Sequence, residues 1–347
     1  HMSERAVEDA VARARAQFPG WSETSYKKRS RILRKAASIL AEDAHDYATR
    51  ISRENGKTVM DAMLADIYPV ADLLKYYAGH LEKFLKPVRV SGSPLFPGRK
   101  AYYTFEPKGV VGVISPWNYP FTLSAGPTIS AISAGNTVGL KPSSQTTDSG
   151  RMVAELLERA GLPKDVVVVV TGSGSRTGQA LIDHPGLDMM FFTGSTGVGR
   201  EVYKKAAEHL IPAVMELGGK DVAIVTRNAD LDRAAHGVVW GGFTNCGQTC
   251  IGTEVILVDR AVYEPFVRKV TEITKKLRTG QAAGEIGAMT MKSQYDIVED
   301  QLDDAVEKGA KILAGGKPEP GGKGMFFPPT LLADTTAEMK VRRDETF

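Results

Sequence analysis

Cys250 is one of only two cysteines in this chain of 347 residues, and it closes the segment 243–250, FTNCGQTC. Small and polar residues flank it, whereas a structural cysteine more often lies within an apolar run. A thiol in a loop after a glycine can be exposed and activated as a nucleophile. The segment therefore predicts a nucleophilic cysteine at Cys250, with a structural cysteine as the alternative.

The sequence offers no obvious metal site and no obvious histidine base. Cys246 and Cys250 do not have the spacing of a zinc site, and no histidine lies near them. The six histidines are scattered, and no two are four residues apart. We therefore expect no metal, and a cysteine–histidine hydrolase lacks an evident base in the sequence.

Two further side chains suggest covalent catalysis at a carbonyl carbon. Glu216 lies among apolar residues and glycine in the segment 215–219, and an apolar setting raises the pKa of a carboxyl group toward the range of a general base. Asn118 follows a predicted strand and precedes Pro120, so its amide could donate to a developing oxyanion. The alternatives are a glutamate at a strand edge that points to solvent and an Asx turn at Asn118.

A glycine-rich segment, 192–199 (FTGSTGVG), follows a predicted strand and opens a predicted helix. Glycines let backbone N–H groups approach phosphate oxygens, and a helix N-terminus favours negative charge. The order is Gly-x-x-Gly-x-Gly, so an ordinary tight turn is the alternative. Lys141 ends another strand, where it could bind ribose hydroxyls or phosphate, unless it is simply solvated.

The elements that must position these residues alternate from Val110 onward. Unbroken apolar runs at 110–114 and 166–170 are typical of strands buried on both faces. This alternation predicts an α/β fold with a Rossmann-like parallel sheet and helices on both faces. The other predicted strands are 138–140, 189–192 and 222–225, and the predicted helices follow Pro120, span 149–160 and start near Thr196.

The first 85 residues have the pattern of helices. Ser3 can cap a first helix, and a second runs from about Tyr26 to Glu54 and stops at Asn55-Gly56. Pro69 should kink or divide a third. Two short strands in 88–105 then flank a Gly/Pro/Ser loop, which predicts a β-hairpin arm that reaches a partner subunit.

A second unit begins after Gly219 in this interpretation. It holds the Cys250 loop, strands at 255–258 and 311–313, and helices at about 263–277 and 295–308.

The bulk composition excludes several classes of protein. Hydrophobic content of 42% and charged content of 24% are ordinary for a soluble globular chain. The net charge is +3, and no run of like charges points to nucleic acid. No apolar stretch approaches the roughly 20 residues that span a bilayer. His1-Met2 resembles a cloning remnant more than a signal peptide, and two cysteines suit a reducing, cytoplasmic compartment.

Taken together, these segments resemble the aldehyde dehydrogenase superfamily over nearly the whole chain. The resemblance rests on five linked segments in the family's order and spacing: SPWNYPF at 115–121, GNTV at 135–138 with Lys141-Pro142, FTGS at 192–195, ELGGK at 216–220 and GQTC at 247–250. It implies a non-phosphorylating, NAD(P)-dependent oxidation of an aldehyde to a carboxylic acid.

The resemblance also implies a mechanism. The Cys250 thiolate attacks the aldehyde carbon, while the Asn118 amide and the backbone N–H of Cys250 hold the oxyanion. Hydride then passes to the nicotinamide ring, which leaves a thioester. Glu216 activates the water that releases the acid.

Cofactor contacts and a substrate pocket follow by the same resemblance. Trp117 and Lys141 contact the adenosine side of the cofactor, Ser195 the pyrophosphate and Glu345 the nicotinamide ribose. The remaining cofactor residues are Ile114, Ser115, Pro116, Ser143, Ser144, Gly174, Gly178, Phe192, Thr193, Gly194, Val198, Leu217, Gly218 and Phe347. The pocket residues are Tyr119, Leu123, Thr249 and Ile251.

The chain departs from the family in two places. Many members carry a glutamate at the position of Ser144, and a carboxylate there would repel a 2′-phosphate. We therefore expect NADP to be accepted as well as NAD. The family also continues beyond Glu345-x-Phe347, so we expect a C-terminally truncated catalytic domain and weak activity.

The implied organisation is a cofactor-binding domain at 1–86 and 107–219, an oligomerisation arm at 87–106 and an incomplete catalytic domain at 220–347. The full-length protein should form a homodimer or homotetramer. The alternative is a catalytically weak or silent member of the fold that binds or has a structural role. A CoA-acylating relative is disfavoured because Glu216 is present to activate water. The sequence does not identify the aldehyde.

Overall fold

The computed structural model describes residues 2–92, 95, 98–280, 284–318 and 324–347. The chain divides into two compact units, His1–Tyr47 with Leu64–Glu216, and Ala48–Met63 with Leu217–Phe347. Residues 48–63 pack with the second unit, although the sequence interpretation assigned them to the first domain. The functions expected of the domains stay predictions.

The N-terminal helices largely follow the sequence patterns. Helix α1 (Glu4–Ser22) is capped by the Ser3 hydroxyl, which accepts from the Ala6 N–H at 3.3 Å. The predicted helix 26–54 is instead two helices, α2 (Tyr26–Glu42) and α3 (Ala44–Asn55). Asp43 divides them because it leaves helical geometry, and Arg159 donates to its carboxylate at 2.7 Å.

The helical segment around Pro69 is divided, as predicted. Helix α4 (Val59–Ala62) is followed by a π-helical turn (Met63–Ile67) and by α5 (Tyr68–Leu85). Pro69 lies in the first turn of α5, directly after the π-helical turn, so the hydrogen-bond pattern of the helical segment changes just before the proline.

The predicted hairpin is present as β1 (Val88–Val90) and β2 (Ala101–Tyr103), which pair antiparallel. Phe105 lies beyond β2, with its ring 5.5 Å from that of Tyr103. Residues 93, 94, 96 and 97 of the predicted connecting loop lie outside the described residues.

The first unit contains a five-stranded parallel sheet in the order β5-β4-β3-β6-β7, which confirms the predicted α/β fold. Every residue of β4, and all but the last of β3, is buried. This burial explains the apolar runs. The strands are β3 (Val110–Ile114), β4 (Thr137–Lys141), β5 (Val167–Val169), β6 (Met189–Thr193) and β7 (Ala213–Glu216). The helices between them are α6 (Pro120–Ser133), α7 (Thr147–Arg159), α8 (Gln179–Ile182) and α9 (Thr196–Glu208).

The predicted strand at 222–225 is present, and it lies in the second unit, which was expected to begin after Gly219. Residues 222–225 do not continue the first sheet, whose edge strand is β7, a segment that was not predicted as a strand. They belong to β8 (Asp221–Val225), which pairs in parallel with β9 (Thr253–Val258) in the second unit. Strand pairing depends on distant partners, so the local pattern could not assign this strand to its sheet.

The second unit packs helices on the β8–β9 pair around a core of Val225, Ala235, Val238, Val239, Phe266 and Val270. Its other elements are α10 (Leu231–Phe243), a 3-10 turn (Thr244–Gly247), α11 (Tyr263–Thr274), α12 (Lys292–Glu307), the antiparallel pair β10 (Lys311–Ala314) and β11 (Leu331–Ala333), and α13 (Lys340–Arg343). In the part of the chain that is described, no helix has the length and apolar character needed to cross a membrane.

Candidate active site

The sheet of the first unit has a topological switch point between β3 and β6. From β3 the chain adds β4 and β5 on one side, and it then adds β6 and β7 on the other. Ile114 lies opposite both Lys141 and Phe192 in register, and Thr193 lies opposite Glu216. Ligands of open parallel sheets bind beyond the carboxyl ends of strands at such a point. The sheet thus brings most of the predicted cofactor residues to one edge.

The turn after β6 leaves the N-terminus of α9 exposed. The Ser195 hydroxyl caps α9 by accepting from the Val198 N–H at 3.5 Å, and both residues are exposed. A Cβ at Gly197 would meet no described atom within 4 Å. A Cβ at Gly194 would approach the Phe192 ring to 2.7 Å, so a larger residue there would displace the turn. An open helix N-terminus after a strand fits the pyrophosphate of a dinucleotide.

Lys141 is buried, with 4% of its surface exposed, so the alternative of a solvated lysine is wrong. Its Cε lies 3.7 Å from the place that a Cβ of Gly178 would take, an ordinary van der Waals distance, so the lysine side chain packs beside this glycine. Burial lowers the pKa of the Lys141 ammonium, because desolvation disfavours the charged form. An anionic ligand at this edge would offset that cost.

The segment after Lys141 presents serine hydroxyls and no acid. The Ser143 hydroxyl accepts from the Gln145 N–H at 3.2 Å, and its carbonyl accepts from the Thr146 N–H at 3.2 Å. Ser144 is exposed, as is Gly174 in the turn after β5. A phosphate near Ser144 would therefore meet no carboxylate from this segment.

The turn that carries Asn118 is fixed by a residue from the π-helical turn. Asp66 is buried, and its carboxylate accepts from the N–H groups of Phe121 and Thr122 at 3.1 and 3.0 Å. These groups open α6, where the side chain of the cap residue, Tyr119, does not supply a capping hydrogen bond. Asn118 itself is 1% exposed. Its neighbours in the sequence that were predicted to contact cofactor or substrate are also buried or half-buried: Ser115, Pro116, Trp117, Tyr119 and Leu123.

Glu216 is exposed, so the apolar surroundings that we expected for it are wrong. The physical reason is that Glu216 ends β7, and β7 is an edge strand of the sheet. Its backbone is ordered nonetheless, because its carbonyl accepts from the Gly194 N–H at 3.1 Å.

In the second unit, Cys250 follows a turn with unusual backbone geometry. Asn245, Cys246 and Gly247 have φ values of 53°, 62° and 77°, which only glycine adopts easily. Cys250 is half-buried. Its carbonyl lies 3.1 Å from the place that a Cβ of Gly219 would take, so glycine permits this approach. Of the two pocket residues here, Thr249 is buried and Ile251 is 77% exposed.

Cys246 lies in different surroundings. Although part of the residue is exposed, its thiol points inward and donates to the Ala288 carbonyl at 3.3 Å. Desolvation raises the pKa of this thiol to about 12, and the nearby Asp61 carboxylate adds to the shift. Cys246 is therefore a neutral, unreactive thiol at physiological pH. The structure leaves Cys250 as the candidate nucleophile.

Two predicted cofactor residues of the second unit, Gly218 and Glu345, lie against each other. Glu345 accepts from the Gly219 N–H at 3.3 Å, and a Cβ at Gly218 would collide with its carboxylate. Burial raises the pKa of Glu345. Leu217 and Phe347 are half-buried.

Sequence reasoning missed an ion pair beside this group. The Lys220 ammonium contacts the Glu254 carboxylate and donates to the Thr346 hydroxyl at 3.1 Å. Glu254 also accepts from the N–H groups of Thr346 and Phe347 at 3.0 and 3.1 Å. A charged residue within the apolar strand β9 was the only available signal. Across the described ranges, no group of three or more His, Cys, Asp or Glu residues could hold a metal.

Residues 1–347 match the model of the aldehyde dehydrogenase family. A Mycobacterium ulcerans (strain Agy99) protein, provisionally named succinate-semialdehyde dehydrogenase [NADP(+)] 2, is 38% identical over 345 residues, 98% of this chain and 66% of that protein. The 4,4'-diapolycopene aldehyde oxidase of Methylomonas sp is 38% identical over 344 residues, 98% of this chain and 64% of that enzyme. The chain thus spans less than two thirds of these relatives' length.

Solved structures agree with this match. The NAD+ complex of an aldehyde dehydrogenase from Bacillus cereus superposes with a TM-score of 0.94 at 31% identity, covering 100% of this chain and 71% of that one. An NADP dependent enzyme from E. coli gives a TM-score of 0.95 at 33% identity, with 99% and 71% covered. The chain therefore belongs to the aldehyde dehydrogenase family.

Proposed function

We propose that this chain carries the cofactor-binding and nucleophile-bearing parts of an enzyme that oxidises an aldehyde to a carboxylic acid with NAD(P)+. The observation that carries the proposal is the contrast between its two thiols. Cys246 is held neutral, whereas Cys250 is half-buried and follows a turn of strained geometry at residues 245–247. Strained backbone of this kind often marks a functional site.

Each step is assigned to residues of this chain. The Cys250 thiolate forms a bond to the carbonyl carbon, and the Asn118 amide and the Cys250 N–H donate to the resulting oxyanion. When bound, NAD(P)+ accepts the hydride. Glu216 takes a proton from the water that attacks the thioester carbon, and the C–S bond breaks to regenerate the thiolate. The exposure of Glu216 gives water access to it.

The cofactor would be held at the carboxyl edge of the first sheet. Ser195 and the N-terminus of α9 fit the pyrophosphate, and Lys141 with Ser144 fits the ribose. Because Ser144 is exposed and the segment carries no acid, we propose that NADP+ is accepted as well as NAD+. On the same footing we assign Glu345 to the nicotinamide ribose. The free cysteines suit a cytoplasmic location, which cell fractionation would test.

Steady-state assays with a panel of aldehydes, including succinate semialdehyde, and with each cofactor test the proposal. We expect reduction of both NADP+ and NAD+, and we expect Cys250→Ser to lower the rate by on the order of 10³-fold or more. The matched control Cys246→Ser should retain activity. A strict preference for NAD+ would contradict the assignment of Ser144. No turnover with any aldehyde would favour the alternative of a silent member of the fold.

A further inference from the structure

The loop that carries Cys250 is tied down through the side chain of Gln248. This side chain is completely buried. Its Oε1 accepts from the Thr290 N–H at 2.9 Å, and its Nε2 donates to the Asn245 carbonyl at 3.2 Å. The Asn245 side chain closes the turn by donating to the Gln248 carbonyl at 3.0 Å. The buried Gln248 amide thus joins the turn to a segment more than forty residues away. Its oxygen bonds that segment, and its nitrogen bonds the turn.

Thr290 is itself anchored at a third place in the chain. Its hydroxyl donates to the Asn55 carbonyl at 2.7 Å. Two residues earlier, the Ala288 N–H donates to the Gly56 carbonyl at 2.9 Å, and the Ala288 carbonyl accepts from Cys246. The segment 288–290 therefore forms a bridge between residues 55–56 and the Cys250 loop. All three segments belong to the second unit.

The bridge supports a turn that would not keep its shape alone. Asn245 and Cys246 both have positive φ values, and Cys246 lacks even the local hydrogen bonding that helps asparagine adopt them. Such residues persist only where the surrounding contacts over-determine the conformation. The contacts from Thr290 and Ala288 are of this kind, because they reach the turn from outside its own sequence.

We propose that Thr290 is a positioning residue that acts through Gln248 to hold the strained turn and so the orientation of Cys250. The assignment of Cys250 as nucleophile rests on the function proposed above. The mechanical coupling of Thr290 to the Cys250 thiol does not, and it can be measured without aldehyde or cofactor.

The test is the alkylation rate of each cysteine by iodoacetamide, followed by peptide mass spectrometry across a pH series on the 347-residue chain. Thr290→Val removes the hydroxyl that binds the Asn55 carbonyl. It should lower the alkylation rate of Cys250 by about fivefold, since the loop would then hold the thiol in its accessible orientation for a smaller fraction of the time. It should also displace the pH profile of that rate. Thr290→Ser keeps the hydroxyl and should stay within about twofold of the wild type.

Two further variants complete the design. Thr271→Val is the matched control, because the Thr271 hydroxyl also donates to a backbone carbonyl, that of Val267 at 2.8 Å. It should leave the Cys250 rate and profile unchanged. Gln248→Met cuts the bridge at its other end and should reproduce the effect of Thr290→Val, which covers the case in which one variant folds poorly.

The proposal would be overturned if Cys250 in a folded Thr290→Val or Gln248→Met protein were alkylated at the wild-type rate and with the wild-type pH profile. A lower melting temperature with an unchanged Cys250 profile would also overturn it, since Thr290 would then have only a structural role. Loss of aldehyde oxidation in every variant, the wild type included, would instead refute the proposed function and leave the alkylation result standing.

Discussion

Cys246 and Cys250 are four residues apart in one loop, yet their thiols have different environments. The Cys246 thiol is desolvated and donates to a carbonyl, whereas Cys250 is half-buried beyond the strained turn. The same sequence segment therefore contains an inert thiol and a candidate nucleophile. The Cys246 thiol has its environment from a distant segment, because its acceptor is the carbonyl of Ala288 at 3.3 Å.

The Cys246 thiol gives the stability of the protein a defined dependence on alkaline pH. Its pKa is raised from 9.0 to about 12 in the folded state. As the pH rises, the thiol therefore loses its proton at a lower pH in the unfolded chain than in the folded protein. The contribution of the protonated Cys246 thiol to the stability of the fold is complete below pH 9.0 and disappears as the pH rises toward 12. We expect the free energy of unfolding to fall over this window, and we expect Cys246→Ala to flatten the fall in urea titrations. An equally steep fall in Cys246→Ala would contradict this account.

At the scale of elements, the start of α6 depends on a residue from a different part of the chain. Asp66 lies in the π-helical turn before α5 and accepts two N–H groups in the first turn of α6. A buried carboxylate at a helix N-terminus satisfies orphan donors and complements the helix dipole. It also fixes the turn that carries Asn118, immediately before the helix.

Asp66→Ala should therefore lower the free energy of unfolding by about 1–3 kcal/mol, because a buried and a partly buried N–H group lose their acceptor. Asp66→Asn is the matched control: it keeps an oxygen acceptor without the charge, so its loss should be smaller. Chemical denaturation of both variants measures the difference. Equal stability of Asp66→Ala and the wild type would show that water or a neighbouring group replaces the carboxylate.

At the scale of the whole molecule, the hairpin of β1 and β2 exposes aromatic side chains. Tyr102 and Tyr103 are 54% and 48% exposed, and Phe105 beside them is 48% exposed. A two-stranded hairpin is marginally stable by itself, and exposed aromatic residues at its edge favour pairing with another chain. This supports the arm function that the sequence resemblance implied.

We therefore expect the protein to self-associate through the hairpin. In sedimentation velocity experiments the wild type should form dimers or larger species, and the double variant Tyr102→Lys with Tyr103→Lys should shift toward monomer. Tyr203→Lys is the matched control, since Tyr203 is 57% exposed on α9. A double variant that associates as well as the wild type would exclude the hairpin from the interface.

Local patterns predicted much of this fold. The apolar run at Val110–Ile114 forms a strand buried on both faces, and Ser3 caps the first helix, because each depends on neighbouring residues alone. The break at Asp43 was missed because Arg159, which binds its carboxylate, is 116 residues away. The edge strand β7 was missed because its place in the sheet depends on pairing with β6, which the local pattern does not specify.

The sequence by itself determined the family, the order of the motifs and the identity of the candidate nucleophile, since these depend on residue types and spacing. The tertiary structure decided the environments. It buried Lys141, exposed Glu216 and made Cys246 inert. It also placed Thr290 between Asn55 and Gln248, although Asn55 is 235 residues away from Thr290 in sequence. Burial and hydrogen bonding depend on which distant segments meet, and local sequence patterns do not contain that information.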